Sequence, residues 1–433
     1  MKIKISLVGD VLITKRMPYP LWDGGNEISD FIKGHDMRFG NLETTVHRKE
    51  GYPEAFPGGG YSMCVPECLN DLKSFGFNIF NTANNHSMDY SHEGLLATIN
   101  YLDKTDLLHA GTGRNLAEAS DPVFFEHSNC RVALVGVTSA FHDSYAAGPQ
   151  NQDYIGRPGV APLRHKALYH LEANDYNNLC SIATKTGINN YVNQGIKEGY
   201  QLSSENLKFG PYEFVKSDHN GLVTVPLQQD LDRTLAIVKD AKIRAEVVVL
   251  SIHSHQFKGS SKRCVPDFIR TFAQECIEAG ADVVVCHGPH VLRGVEAYKK
   301  GIIFHGLGDF IFQHESMTHL PEEFYQKYGS TRQNSTGIGE ILNKRSQGGK
   351  RGLIVLDEAW ETVIASLTIT DDNIKAELIP VDISRGYSGG YPSLSSKSAI
   401  ISEVCSMSEE FGTSLSVNDT GLRATIIVNR KYS

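Results

Sequence analysis

The sequence predicts an α/β fold, and three observations carry that expectation. Short Val/Ile-rich runs recur at 4–8, 78–81, 131–138, 246–252, 282–286 and 302–307, too short for helices and too apolar for one-sided strands. Amphipathic stretches separate them. In 266–279, Phe268, Phe272, Ala273 and Cys276 fall on one helical face, and Gly280 follows as a stop. Finally, six of the strands finish in carboxylates, amides or imidazoles, the edge at which open α/β sheets bind ligands.

The strands justify this in turn. MKIKISLVGDVLITKRM opens the chain with an interrupted apolar run, which reads as a first strand rather than a signal peptide. That strand leads into Gly9-Asp10. A short strand near Phe39 leads into Asn41-Leu42-Glu43, and the 78–81 strand into Asn84-Asn85-His86. The 246–252 strand leads into His253-Ser254-His255, the 282–286 strand into His287-Gly288-Pro289-His290, and the 302–307 strand into Gly308-Asp309. Taken singly, each has an ordinary reading: Asp10 as a turn or cap residue, the asparagines as left-handed turn residues, His305 as a core histidine. Taken jointly, they form the carboxylate, amide and imidazole set that binds divalent metals.

Further along, 174–224 and 313–350 are polar, lack a strand–helix rhythm and exceed ordinary loop length, so they are expected to be lids or binding walls. After them, 352–356, 362–369 and 374–381 read as three short strands. A helix is expected over about 396–410 and a final strand over 423–428.

Bulk properties exclude several classes. The 433 residues carry a net charge of −8, which argues against a nucleic-acid partner. No apolar span approaches the ~18 residues of a transmembrane helix, so no membrane partner is expected. The eight scattered cysteines read as reduced thiols of a cytoplasmic protein.

The segments GDVLI (9–13), NLETTV (41–46), NTANNHSMDYSHEGLLATINYL (81–102), VVVLSIHSHQ (247–256) and VVVCHGPHVLRGVEAYKKGIIFHGLGDFIFQ (283–313) resemble the CapA/PgsA, or poly-γ-glutamate capsule synthesis, branch of the calcineurin-like metallophosphatases. The similarity extends over essentially the whole chain. It implies one domain over 1–433: a two-sheet sandwich flanked by helices, four layers in all, with lid or wall insertions at 174–224 and 313–350.

The resemblance also implies two divalent metals (Mn, Fe or Zn) at the strand ends. Asp10 and His290 would hold the first, Glu43 would bridge, and Asn85, His253 and His287 would hold the second. His86 would face the substrate, oriented by Asp89. Leu12 stands where the superfamily carries a ligating histidine, and His255 is the candidate to replace it. Weaker expectations place Asn84, Arg114 and Arg293 at the substrate. The implied chemistry is hydrolysis by a metal-activated water of a phosphate ester in a small-molecule or peptide-like substrate. The alternatives are hydrolysis or transfer at an amide such as a γ-glutamyl linkage, or a metal-binding scaffold without catalysis.

Overall fold

The computed structural model describes residues 1–314, 316–386 and 388–431. Among them, a ten-stranded mixed sheet and a six-stranded sheet form the centre of the molecule. The strand Lys2–Leu12 runs through the larger sheet, parallel to Met37–Leu42 and Asp309–Phe312 and antiparallel to Glu361–Thr370. The smaller sheet is built on the parallel run Cys130–Thr138, Val247–His253, Val283–His287 and Gly301–Phe304.

Strand alternation explains why these sheets stack. Ile3, Ile5 and Leu7 from one sheet meet Val247, Val249, Val283 and Val285 from the other in a single apolar core. The intervening Val248, Leu250, Val284 and Cys286 face outward and are covered by the helices Gln228–Arg244 and Asp267–Ala279. On the far side of the larger sheet, Val8 and Val11 pack against Ile28, Ile32, Leu69 and Leu72 of two further helices. Helix, sheet, sheet and helix thus give the four-layer α/β sandwich expected. No described helix is long and apolar enough to cross a membrane.

Three local expectations are corrected. The segment 174–224 is not irregular: it holds the helices Ala173–Thr186 and Asn190–Lys197 and contributes to a separate four-stranded sheet. Only Ala183 of the first helix is buried, with Tyr176, Leu179 and Cys180 half-buried on the same face, so the apolar stripe is short and set among Asn, Asp and Thr residues. Likewise 313–350 contains the helices Glu322–Lys327 and Ile338–Ser346. The run 352–356 is not a strand but a 3₁₀ turn, Leu353–Val355. Its Leu353 and Ile354 pack beside Trp360 and Phe312, while Val355 and Leu356 stay exposed and pair with no sheet edge.

Candidate metal centre

Gly9 makes the first part of the site possible. A Cβ there would lie 1.8 Å from the Gly308 carbonyl oxygen, so only glycine lets the two strands approach with Asp10 opposite Asp309. The Asp10 amide donates to the Gly308 carbonyl at 3.1 Å. Asp309 therefore opens a new strand beside the first, rather than ending the previous one as its sequence position suggested. The Asp10 carboxylate accepts from Asn41 Nδ2 at 2.8 Å and from the Gly288 amide at 3.0 Å. Burial alone would raise its pKa, but the neighbouring imidazoles of His253, His287 and His290 hold it well below the usual range.

Glu43 follows Met37–Leu42 directly and is fully buried. Neither of its carboxylate oxygens has a hydrogen-bond partner among the described residues. Around Oε1 stand four imidazole Nε2 atoms: His253 at 3.7 Å, and His86, His255 and His290 each at 3.9 Å. Burial first, then the charges of Asp10, Asp309 and Asp89, push its pKa well above normal.

The Asn84–Asp89 turn supplies the next groups. Asn84 is spent on the turn itself: Nδ2 donates to the Leu42 carbonyl at 2.8 Å, and Oδ1 accepts from the His86 amide at 3.0 Å. Asn85 Nδ2 donates to the Gly58 carbonyl at 2.6 Å, leaving its buried Oδ1 without a hydrogen-bond partner among the described residues. His86 Nδ1 donates to Asp89 Oδ2 at 2.6 Å. Asp89, fully buried, also accepts from the Gly58 and Ser62 amides at 2.8 and 2.6 Å. One His86 nitrogen is thus held, and the other faces Glu43.

His287 and His290 flank a turn in which Gly288 has φ +101° and His290 itself φ +57°, a left-handed conformation uncommon outside glycine. His290 Nδ1 bonds Asp309 Oδ1 at 2.8 Å, the carboxylate–imidazole pairing that orients metal-ligating histidines. Although burial opposes it, Asp309 and Asp10 raise the His290 pKa. His287 has no hydrogen-bond partner on either ring nitrogen among the described residues, lies 3.7 Å from Asp10 through Nδ1, and is pushed down to about 4 by burial. His255 lies past the end of its strand, yet its Nε2 comes within 3.0 Å of His253 Nε2.

These donors fit a divalent cation. The unpartnered buried atoms (Glu43 Oε1 and Oε2, Asn85 Oδ1, both His287 nitrogens, Asp309 Oδ2) are metal-ligand types in a region where unpaired burial is otherwise costly. Separations of 3.7–3.9 Å around Glu43 are too long for hydrogen bonds. They match donors that share one ion at about 2.1 Å each. Ligand atoms of Asp10, Glu43, His290 and Asp309 all lie within 4.8 Å of one another, as do those of Glu43, His255 and His290.

Two expected residues lie elsewhere. Arg114 is a surface residue paired with Glu118. Arg293 is buried, but its guanidinium donates to the Lys262 and Gln256 carbonyls at 2.7 and 2.9 Å, where it holds the loop after His255. Several useful residues were not singled out in sequence. Asn81 Nδ2 donates to Asn41 Oδ1 at 2.9 Å, so two buried amides pass orientation to Asp10. Lys262 Nζ reaches the Pro289 carbonyl at 3.5 Å, and the charge of Asp309 acts on it.

A layered α/β sandwich with a cluster of metal-ligand side chains at its strand ends defines the class. Residues 4–314 match the family described as "Bacterial capsule synthesis protein PGA_cap", and the chain belongs to that family. It is 31% identical over 428 residues to the uncharacterized protein y4sH of Sinorhizobium fredii (strain NBRC 101917 / NGR234), covering 95% of this chain and 90% of that one. It is 25% identical to the capsule biosynthesis protein CapA of Bacillus anthracis, over 80% of this chain and 68% of that one. The PGA biosynthesis protein CapA of Bacillus subtilis (strain 168) is 22% identical, over 78% and 70%.

Proposed function

We propose that this protein is a metal-dependent hydrolase that directs a metal-activated water at a phosphate ester in a small-molecule or peptide-like substrate. The observation that carries the reading is Glu43: a buried carboxylate without hydrogen bonds, ringed by four imidazoles. Two divalent cations (Mn, Fe or Zn) would be held by Asp10, Glu43, Asn85, His253, His255, His287 and His290. When bound, they supply Lewis acidity and lower the pKa of water.

The chain's own groups supply the rest. Asp89 holds Nδ1 of His86, and in its imidazolium form the ring delivers the Nε2 proton to the leaving group. Asp309 orients His290, and Asn41 orients Asp10. In this reading residues 1–433 act as one domain whose 174–224 and 313–350 segments wall the substrate. Eight unpaired thiols fit a cytoplasmic setting.

A second reading keeps the centre and changes the bond to an amide such as a γ-glutamyl linkage; the Bacillus subtilis relative, a PGA biosynthesis protein, favours it. Elemental analysis beside a His253→Ala control, followed by a screen of phosphate esters and γ-glutamyl amides, tests both. About two metals per chain and turnover of one class are expected. Metal without turnover of either would leave a binding scaffold, and no metal after supply of manganese or zinc would remove the enzyme reading.

A further inference from the structure

A cavity of about 570 Å³ opens where the helix Ile338–Ser346 meets the 348–354 turn, within the size range of small-molecule sites. His314, Tyr328, Leu342, Arg345, Arg351 and Ile354 line it. In a chain of net charge −8, no described carboxylate does. Arg345 Nη1 is buried and has no hydrogen-bond partner among the described residues, an expensive arrangement unless an acceptor arrives. The guanidinium is held from below by the Phe324 ring, 5.9 Å from its centroid.

Two features join this cavity to the metal centre. The His314 ring stacks on Phe312 at 5.6 Å, and Phe312 packs against His290 at 6.0 Å. A Cβ on Gly60 would lie 3.6 Å from Arg345 Nη1, and the same loop, through Gly58, holds both Asn85 and Asp89. Burial and the positive charges of Arg345, His290 and His86 push the His314 pKa down to about 3, so this ring is a neutral wall between cavity and centre.

We infer that this cavity is an oxyanion subsite in which Arg345 and Arg351 bind a carboxylate or phosphate carried on an organic body, remote from the bond that is cleaved. Arg345 offers the planar fork suited to either group, while Leu342, Ile354 and Tyr328 accept the apolar part. The subsite names a substrate class, doubly functional and anionic, and in that respect rests on the hydrolase reading. Its binding can nevertheless be read without turnover.

The experiment is calorimetric titration of phenylphosphonate and of benzoate into the full chain, both metal-loaded and after chelation, with Arg345→Met, Arg345→Lys and Arg351→Met beside it. Binding of at least one probe should survive chelation. It should weaken by at least about 10-fold in Arg345→Met, less in Arg345→Lys, and several-fold in Arg351→Met. Arg351 is exposed and its Nε donates to the Arg345 carbonyl at 3.0 Å, so a thermal melt of each variant beside the titration separates lost binding from lost fold. The tighter probe identifies the anion. Binding that vanishes on chelation, or that is equal in both methionine variants and the parent, overturns the inference. Chelation-resistant binding in a protein that turns over no ester or amide would sink the hydrolase reading and leave the subsite standing.

Discussion

Replacing Glu43 with glutamine should stabilise the metal-free protein and abolish its response to metal. Asp10, Glu43, His290 and Asp309 place their ligand atoms within 4.8 Å of one another. At that distance two carboxylates repel by roughly 3.5 kcal/mol at an effective dielectric of 20. Glu43 faces two such neighbours, partly offset by imidazoles, so neutralising it should gain about 2–4 kcal/mol without metal. Unfolding 433 residues carries an entropy of about 0.9 kcal/mol/K, so each kcal/mol moves the midpoint by about 1 °C. The variant should therefore melt about 2–4 °C above the parent in chelator.

The sign of the pH dependence follows from the raised Glu43 pKa. Its penalty is absent below the ordinary glutamate value near ~4.3 and grows as pH rises. The advantage of the variant should thus be gone near pH 4 and larger at pH 7.5 than at pH 5. Metal at one hundred times its dissociation constant adds about 2.7 kcal/mol per site to the parent, or about 3 °C, and nothing comparable to the variant. Thermal unfolding with and without manganese or zinc, beside elemental analysis, measures both effects. A variant that melts lower in chelator, or that keeps the metal response, would refute the assignment of Glu43 as a shared ligand.

Other outcomes follow from the same geometry. Asp89→Asn should lower kcat about 10²–10³-fold with metal content unchanged, because three donors face a carboxylate that asparagine cannot reproduce; full activity in a substrate-screen hit would contradict it. Asn85→Ala should weaken metal binding at least about 10-fold, read by equilibrium dialysis, since its free amide oxygen is removed. Glu296, buried but held down to about 2 by His305, Arg270 and Gln274, contributes stability that is present above the ordinary glutamate pKa and is lost as pH falls toward 2. Glu296→Gln should cost about 2–3 kcal/mol at pH 7, and the gap should close in melts taken between pH 4.5 and 2.

The site was more legible than its surroundings, for physical reasons. Asp10, Glu43, His253, His287 and His290 stand at or just past strands whose apolar runs mark them plainly, so position alone gathered them. Asn41, read only as a strand-end amide, and Asn81 were given no role because their work lies in side-chain bonds between neighbouring strands, and pairing register is not written in either segment. Arg114 and Arg293 misled for the opposite reason: each sits in sequence beside a site segment, but a guanidinium reaches far, and theirs turn to Glu118 and to backbone carbonyls. The 174–224 helices were hidden because their apolar stripes are short and mostly half-buried, Tyr176, Leu179, Cys180 and Ala183 in the first and Val192 and Ile196 in the second, within Asn- and Gly-rich sequence. The 352–356 run looked like a strand by composition, yet strand formation needs an edge to pair with, and the glycines around it take it elsewhere.

Leu12 is the sharpest test of the centre as a whole. It is buried at the end of the first strand, opposite Phe312, and brings no ligand where a metallophosphatase resemblance expects an imidazole. His255 stands 3.9 Å from Glu43 Oε1 and, with Glu43 and His290, forms one of the two sets of mutually close ligand atoms. In the proposed reading His255 fills the position that Leu12 leaves without a ligand. If the two are equivalent, His255→Ala should lower metal content by about one equivalent and His253→Ala by more, because His253 also touches Asn41 and lies 3.5 Å from Asp10. Leu12→His added to His255→Ala should then return part of the missing metal, measured by elemental analysis after dialysis against limiting zinc. Unchanged metal content in His255→Ala would mean that this histidine, the more exposed of the four around Glu43, serves the substrate instead.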